Sequence, residues 1–158
     1  MKLLVTGGLG FIGSNFILKI FSENKDISII NIDDQLFGSN SKNLTKIENS
    51  EKYEFIKGNI TNNDFVSELV KKCDVVVNFA AESHVDRSIS NSKPFIKSNI
   101  YGVFTILEAI RIFDKKLVHI STDEVFGSLE NKSADENFRF NPSSPYSASK
   151  ASAELLIN

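Results

Sequence analysis

The chain has 158 residues, 18 of them basic and 20 acidic, for a formal net charge of -2, and one cysteine, Cys73. That length suits a single domain hiding roughly two-thirds of its unfolded surface. The balanced, unclustered charge argues against a nucleic-acid groove or a membrane face, and the lone cysteine excludes a disulfide framework or cysteine metal cluster, so no metal site is expected. No apolar run approaches a membrane span, and the stretch before Gly7 is too short for a signal peptide, so the expectation is a soluble, cytoplasmic protein.

In chain order, Lys2–Thr6 reads as a short apolar strand buried on both faces, broken at Gly7-Gly8. Phe11–Phe21 then carries apolar residues at helical spacing. Ile27–Asp33 is a second strand ending in an acid, Ser41–Asn49 a short helix, and Tyr53–Lys57 a third strand. Asn62–Lys71 is amphipathic through Phe65, Val66, Leu69 and Val70, and Cys73–Ala81 is a fourth strand. Pro94 suits the first turn of a long helix reaching Phe113. Leu117–Ser121 is a fifth strand, a polar loop runs to Pro145, and a last helix starts at Tyr146. Strands alternating with helices predict an α/β fold of Rossmann type, a doubly wound parallel sheet with ligands at the carboxyl ends of its strands.

The turn Gly7-Gly8-Leu9-Gly10-Phe11-Ile12-Gly13 joins the first strand to the first helix. Glycines at 7, 10 and 13 let the turn close, let backbone approach a pyrophosphate and let helix pack on strand; Phe11 and Ile12 belong to the same cofactor-binding turn. The helix's free N–H groups face the phosphates. Asp33 follows Gly13 by twenty residues at the end of the second strand, where a carboxylate accepts from ribose hydroxyls and repels a 2′-phosphate, favouring NAD over NADP. The alternative is an ordinary tight turn followed by a helix-capping Asp; Asp34 is read as either a contact or a solvated side chain.

Tyr146 and Lys150, in Tyr-Ser-Ala-Ser-Lys, stand four apart on one helix face. A free tyrosine has a pKa near 10, so ionising it near neutral pH needs about 4 kcal/mol of help. A neighbouring Lys cation and a nicotinamide's positive charge supply it in a low-dielectric site, and the phenolate then takes a hydroxyl proton as hydride leaves. Ser121-Thr122-Asp123-Glu124 follows the fifth strand at the end where the ligand is expected. Adjacent carboxylates suit an elimination, one protonating a leaving hydroxyl and the other taking a carbon-bound proton, and their repulsion helps hold one neutral. Thr122 suits a hydrogen bond to the sugar hydroxyl being oxidised. The bland alternatives are a surface Tyr–Lys pair and a capped, solvated Asp-Glu turn. Small Ala80 and Ala81 allow close approach to a cofactor, and Ser83 reaches either substrate or nicotinamide ribose. His84 is either functional or a brace tied to Asp86; His119 reads as a satisfied core histidine and Cys73 as packing.

Together these residues resemble the extended short-chain dehydrogenase/reductase family and, within it, the dTDP-glucose 4,6-dehydratase group. The carriers are GGLGFIGS at 7–14, FAAESHVDRSI at 79–89, STDEVFG at 121–127 and YSASK at 146–150, so the resemblance covers nearly the whole chain. The glycines and Tyr-x-x-x-Lys specify only the superfamily; AAESHVDRS and STDEVFG are narrower, and the Asp-Glu pair separates this group from epimerases and decarboxylases on the same fold. The resemblance implies a lyase acting on a nucleotide sugar with tightly held NAD. Tyr146, supported by Thr122 and Lys150, oxidises C4 of the glucose; Glu124 removes the C5 proton as Asp123 protonates the leaving C6 hydroxyl; and hydride returns to C6. It also implies that Asn59 and Ile60, where the family has Asp-Ile, lie against the adenine, and that Ser98, at a family Thr, lies near the cofactor. Phe126 replaces a family Tyr.

Family members continue into further strands and a smaller C-terminal domain holding the nucleotide half of the substrate, and they pair as homodimers through helices matching Pro94–Phe113 and Tyr146 onward. The chain ends on Ala-Glu-Leu-Leu-Ile-Asn with no helix stop signal. The expectation is that residues 1–158 form the NAD-binding domain carrying the catalytic residues, with the C-terminal substrate domain absent and dimerisation weakened. The rival readings are a UDP- or CDP-glucose dehydratase, a nucleotide-sugar epimerase, and a catalytically silent NAD-binding module.

Overall fold

The computed structural model describes residues 1–130 and 133–158; Asn131 and Lys132, inside the polar loop expected before the last helix, lie outside them. The chain divides into two compact units, Met1–Ala80 with Thr105–Ile120, and Ala81–Phe104 with Ser121–Asn158.

The first unit is built on five parallel strands: β1 (Lys2–Thr6), β2 (Ser28–Asp33), β3 (Tyr53–Lys57), β4 (Val75–Asn78) and β5 (Lys116–His119). They lie in the order β3-β2-β1-β4-β5. Alternate side chains leave a strand on opposite faces, and each face has its own core. Leu4, Ile30, Ile32 and Val76 pack with Val66, Leu69 and Val70 of α2 (Asn63–Lys71) and with Ile106 and Ala109. On the other face Leu3, Val5, Ile29 and Val77 pack with Ile17 of α1 (Phe11–Glu23) and with Leu44. Helices therefore cover both faces of the sheet, as the alternating sequence pattern predicts. Cys73 is buried in the first of these cores. The two edge strands are the exceptions to full burial, with Phe55 of β3 37% and Val118 of β5 49% exposed.

The second unit holds α3 (Val85–Ser90), the short α4 (Lys93–Phe95), a π-helical turn (Ile96–Gly102), a 3-10 turn (Asp123–Phe126) and α6 (Pro145–Ile157), while α5 (Val103–Phe113), which continues from the π turn, belongs from Thr105 onward to the first unit. Helix α6 starts where its sequence dictates. Ser144 accepts from the Ser147 N–H at 3.0 Å and Ser147 answers in a capping box, while Pro145 fills the first position, which has no N–H to satisfy. Phe126 packs edge-on to Phe138 and tilted against Phe140, tying the 3-10 turn to the segment that follows it.

Several boundaries differ from the sequence expectation. The helix over Pro94–Phe113 is interrupted by the π turn, which inserts an extra residue that 3.6-residue periodicity does not register. Helix α3 was not expected, because its one buried residue is Ser88 and it carries no apolar stripe to recognise. Ser41–Asn49 holds only a 3-10 turn, Ser41–Leu44, started by Asn40 accepting the Lys42 N–H. The fourth strand pairs over Val75–Asn78 alone, and the fifth begins and ends slightly earlier than the apolar run suggests.

Candidate active site

In the first unit the chemistry-bearing residues collect where β1, β2 and β4 end. Gly7 has a φ of +69° and donates its N–H to Ile32 at 2.8 Å; a Cβ on it would lie 2.6 Å from the Ala80 backbone nitrogen. A Cβ on Gly13 would meet the Gly7 carbonyl oxygen at 2.5 Å, so the first turn of α1 packs directly on the glycine turn. A Cβ on Gly10, the residue capping α1, would meet only that same oxygen, at 3.3 Å. The cradle thus leaves free the space that a ligand's phosphates need, beside the N-terminus of a 13-residue helix. Phe11 and Ile12, at the start of that helix, are 81% and 60% exposed. Gly7→Ala is expected to lower stability by about 2 kcal/mol or more, from positive φ and backbone overlap together; a thermal midpoint reduced by less than a degree would count against that packing.

Asp33 is buried and fully engaged. Its Oδ2 accepts the Leu9 N–H at 3.0 Å, and its Oδ1 accepts the Gln35 N–H at 2.8 Å and the Ser39 hydroxyl at 2.7 Å. The carboxylate therefore fixes the glycine turn as well as presenting charge at the strand end. Asp34 accepts from the Asn59 amide at 2.7 Å, while Asn59 Oδ1 accepts from the Thr61 N–H and hydroxyl. Ile60 points its side chain into the core, leaving its backbone as the part available to a ligand.

Several contacts of this region escape motif reading. Gly8 is the tightest glycine of the turn, since a Cβ there would overlap Asn31 Oδ1, and Asn31 in turn donates to the Tyr53 hydroxyl at 2.9 Å. Thr6, Asn78 and His119 are register neighbours on β1, β4 and β5. Thr6 hydrogen-bonds Asn78, Asn78 Nδ2 lies 2.9 Å from His119 Nδ1, and Thr6 Oγ1 also accepts the Ala80 N–H. His119 is thus satisfied as the sequence suggested, but it is half-buried in a polar row across the carboxyl edge rather than part of the core.

In the second unit Tyr146 and Lys150 are both buried, at 9% and 4% exposure. The Tyr146 ring stands edge-on to Phe95 with centroids 6.4 Å apart. Its backbone is held on both sides: the N–H donates to Ser88 Oγ at 3.1 Å, and the carbonyl accepts from Ser149 Oγ at 2.6 Å. Ser149 accepts from Asn99, whose amide also takes both the N–H and the carbonyl of Glu82, at 2.8 and 2.9 Å. Ser88, Asn99 and Ser149, all buried, form a polar clamp that neither spacing nor composition reveals, because a motif search looks for reactive side chains rather than for acceptors of backbone groups. The π turn is what faces Asn99 inward, and it carries half-buried Ser98 beside it.

The phenol of Tyr146 is pushed above its usual range first by burial and then by the negative charges of Glu124 and Asp123, while a hydrogen bond with Thr122 pulls it back. The four predicted residues Thr122, Asp123, Glu124 and Tyr146 therefore act on one another. Thr122 caps the 3-10 turn by accepting the Glu124 N–H at 3.3 Å, and both carboxylates are exposed. Burial and the two carboxylates thus outweigh Thr122 at the phenol. Lys150 itself is brought down to about 8 by burial, with Glu154 opposing that shift. Ala81 is half-buried, Ser83 and His84 are exposed just before α3, and Arg87 faces Glu82 at 3.9 Å. Among the described residues no His, Cys, Asp and Glu cluster is arranged to hold a metal ion, and no helix is long and apolar enough to cross a membrane.

The chain is 45% identical over 163 aligned positions to a dTDP-glucose 4,6-dehydratase of Mycobacterium tuberculosis, covering 99% of this chain and 48% of that protein. Its fold matches DesIV, a dTDP-glucose 4,6-dehydratase of Streptomyces venezuelae crystallised with NAD, at a TM-score of 0.94 and 37% identity over 99% of this chain and 50% of that one. A dTDP-glucose 4,6-dehydratase of Bacillus anthracis in complex with NAD matches at 0.89 and 39%, over 99% and 49%. The chain thus spans about half the length of these relatives. The sequence profile described as GDP-mannose 4,6 dehydratase matches residues 4–158, nearly the entire sequence, and the chain belongs to that family.

Proposed function

We propose that this chain is the NAD-binding and catalytic part of a dTDP-glucose 4,6-dehydratase, a hydro-lyase that forms the 4-keto-6-deoxy sugar and water. The observation that carries the reading is the buried Tyr146 acted on jointly by Thr122, Asp123 and Glu124, in a chain 45% identical to a dTDP-glucose 4,6-dehydratase. The glycine cradle and the buried Asp33 fit a dinucleotide: space where a Cβ is missing, helix N–H groups toward phosphate, and a carboxylate at the second strand end. Gly7, Gly10, Phe11, Ile12, Gly13, Asp33, Asn59, Ile60, Ala80, Ala81, Ser83 and Ser98 would hold the cofactor, together with Tyr146 and Lys150. When bound, NAD supplies a two-electron acceptor and donor, so that the reaction has no net redox change.

The residues move the protons. Tyr146 takes the proton of the sugar's C4 hydroxyl, which Thr122 orients; Lys150 places positive charge near the phenolate. Once C4 is a ketone the C5–H is acidified. Glu124 removes that proton, and Asp123 gives one to the departing C6 hydroxyl, which leaves as water; when the two electrons return as hydride to C6, Glu124 gives its proton back to C5. Asp123→Asn is expected to slow water loss by roughly a hundredfold or more while slowing C4 oxidation far less; equal slowing of both steps would remove Asp123 from the acid role.

A homodimer through the Pro94–Phe113 and α6 segments is supported by exposed Ile96, Tyr101, Phe104, Leu155 and Leu156, and cytoplasmic location agrees with a soluble biosynthetic role. The test of the function is to incubate the chain with NAD and dTDP-glucose and to look by mass spectrometry for a sugar nucleotide lighter by one water. Product appearance establishes reaction and substrate together. Its absence from a chain that binds NAD, repeated on a longer chain carrying the C-terminal half, would overturn the assignment.

A further inference from the structure

Helix α6 carries a third charged residue in line with the two already described. Tyr146, Lys150 and Glu154 stand at successive four-residue steps, so their side chains rise from one face of the helix, one turn above another. Tyr146 and Lys150 are buried, whereas Glu154 is half-buried where the stripe meets the surface. Glu154 is not idle there: its Oε1 accepts the hydroxyl of Ser121, the residue immediately before Thr122. Thr122 hydrogen-bonds Tyr146. The helix and the Ser121–Glu124 turn are thus joined at both ends of the stripe, by Thr122 to Tyr146 and by Ser121 to Glu154.

Other charges stand on the elements packed against α6. Helix α3 carries Asp86 and Arg87, α4 carries Lys93, and the π turn carries Lys97 and the phenol of Tyr101. The 3-10 turn carries Asp123 and Glu124, and their charges act on the Tyr146 phenol. The charge that acts on Lys150 is that of Glu154, which favours the ammonium against the cost of burying it.

We propose that Glu154 is a positioning residue of this site: anchored by Ser121, its carboxylate stands one helical turn beyond the buried Lys150 on the same face and orients that side chain toward Tyr146. The assignment gives a function to a residue outside the Tyr-x-x-x-Lys motif, and it rests on the reading of Lys150 given above. It also explains why the helix continues its polar stripe for another turn in an otherwise small-residue and apolar stretch, Ala151–Ile157.

The experiment reads Lys150 directly, on the protein alone and without substrate or NAD. Lysine is labelled with carbon-13 at Cε, the Lys150 resonance is identified with a Lys150→Met variant, and its titration is followed by NMR. Wild type is expected to titrate near 8. Glu154→Gln keeps the side-chain length and an acceptor for Ser121 but removes the charge, and is expected to move the midpoint down by roughly half a pH unit or more. Glu154→Asp, which retains the charge, is expected to stay nearer wild type. Ser121→Ala leaves the helix untouched and releases the carboxylate, and is expected to shift the midpoint in the same downward direction. An unchanged midpoint in both Glu154→Gln and Ser121→Ala would overturn the proposal. Since no turnover is measured, a failed shift leaves the dehydratase reading standing, and an inactive chain leaves this assignment testable.

Discussion

Tyr146→Phe is expected to abolish oxidation at C4, by a hundredfold to ten-thousandfold, while leaving NAD affinity nearly unchanged. The two expectations come from different parts of the side chain. The ring is buried and stands edge-on to Phe95, and phenylalanine keeps both the volume and that contact. The backbone hydrogen bonds to Ser88 and Ser149 belong to the main chain and survive the substitution. What is lost is the hydroxyl, whose partner Thr122 has its own bond to the Glu124 N–H and a half-exposed position where water can replace the phenol. The fold and the glycine cradle should therefore be intact, and the proton acceptor gone. The measurement is product formation by mass spectrometry alongside NAD binding by calorimetry. Turnover within threefold of wild type, or a tenfold loss of NAD affinity, would remove Tyr146 from the role of base.

In the proposed reaction, the electrostatics around the same residue must change. Burial and the charges of Glu124 and Asp123 hold the phenol above its ordinary range, so the site without ligand favours the neutral hydroxyl. A base that ionises only when positive charge arrives is useful, because the proton moves when substrate and cofactor are both in place. Lys150 is the protein's own source of that charge, and it is poised low enough for its cation to be sensitive to its surroundings. The clamp of Ser88, Asn99 and Ser149 keeps the phenol's origin fixed, since it grips the backbone on either side of Tyr146 rather than the side chain.

The sheet was legible because its strands announce themselves. Lys2–Thr6 and Tyr53–Lys57 are short apolar or alternating runs bounded by turn residues, and both form strands over the expected spans. The glycine turn was legible for a similar reason, since three glycines at fixed offsets serve one backbone geometry. Helix α3 and the π turn were not, because what holds them is polar and inward: Ser88 in one, Asn99 in the other. Hydrophobic periodicity detects an apolar stripe and is blind to a buried hydroxyl that accepts another segment's N–H. The Tyr–Lys spacing placed two reactive groups on one face, but it was silent on the third. Glu154 is an ordinary surface acid in sequence, and only the Ser121 hydrogen bond marks it.

Lys150→Met should make the protein more stable at neutral pH while removing the proposed catalysis. Lys150 is 4% exposed, and burial brings its folded-state value to about 8 against an ordinary 10.5. Below pH 8 the side chain is protonated in both folded and unfolded chains, and the folded state carries the whole cost of the buried cation. From pH 8 to 10.5 the folded chain sheds the proton first, so stability rises with pH across that window; above it the cost is gone. The difference of 2.5 pH units corresponds to about 3 kcal/mol. Methionine has nearly the same length and volume without the charge, so the variant recovers up to that amount below pH 8, less whatever Lys150 contributes through its own contacts. For a chain of 158 residues this is a thermal midpoint raised by roughly 5–10 °C at pH 7. The advantage should shrink steadily as pH is raised and vanish near 10.5. Melting wild type and variant side by side at pH 7 and pH 10 decides the matter. A variant less stable at pH 7, or an advantage that persists unchanged at pH 10, would mean that the Lys150 cation is not held at a cost and that no stability is given up here to keep a charge beside Tyr146.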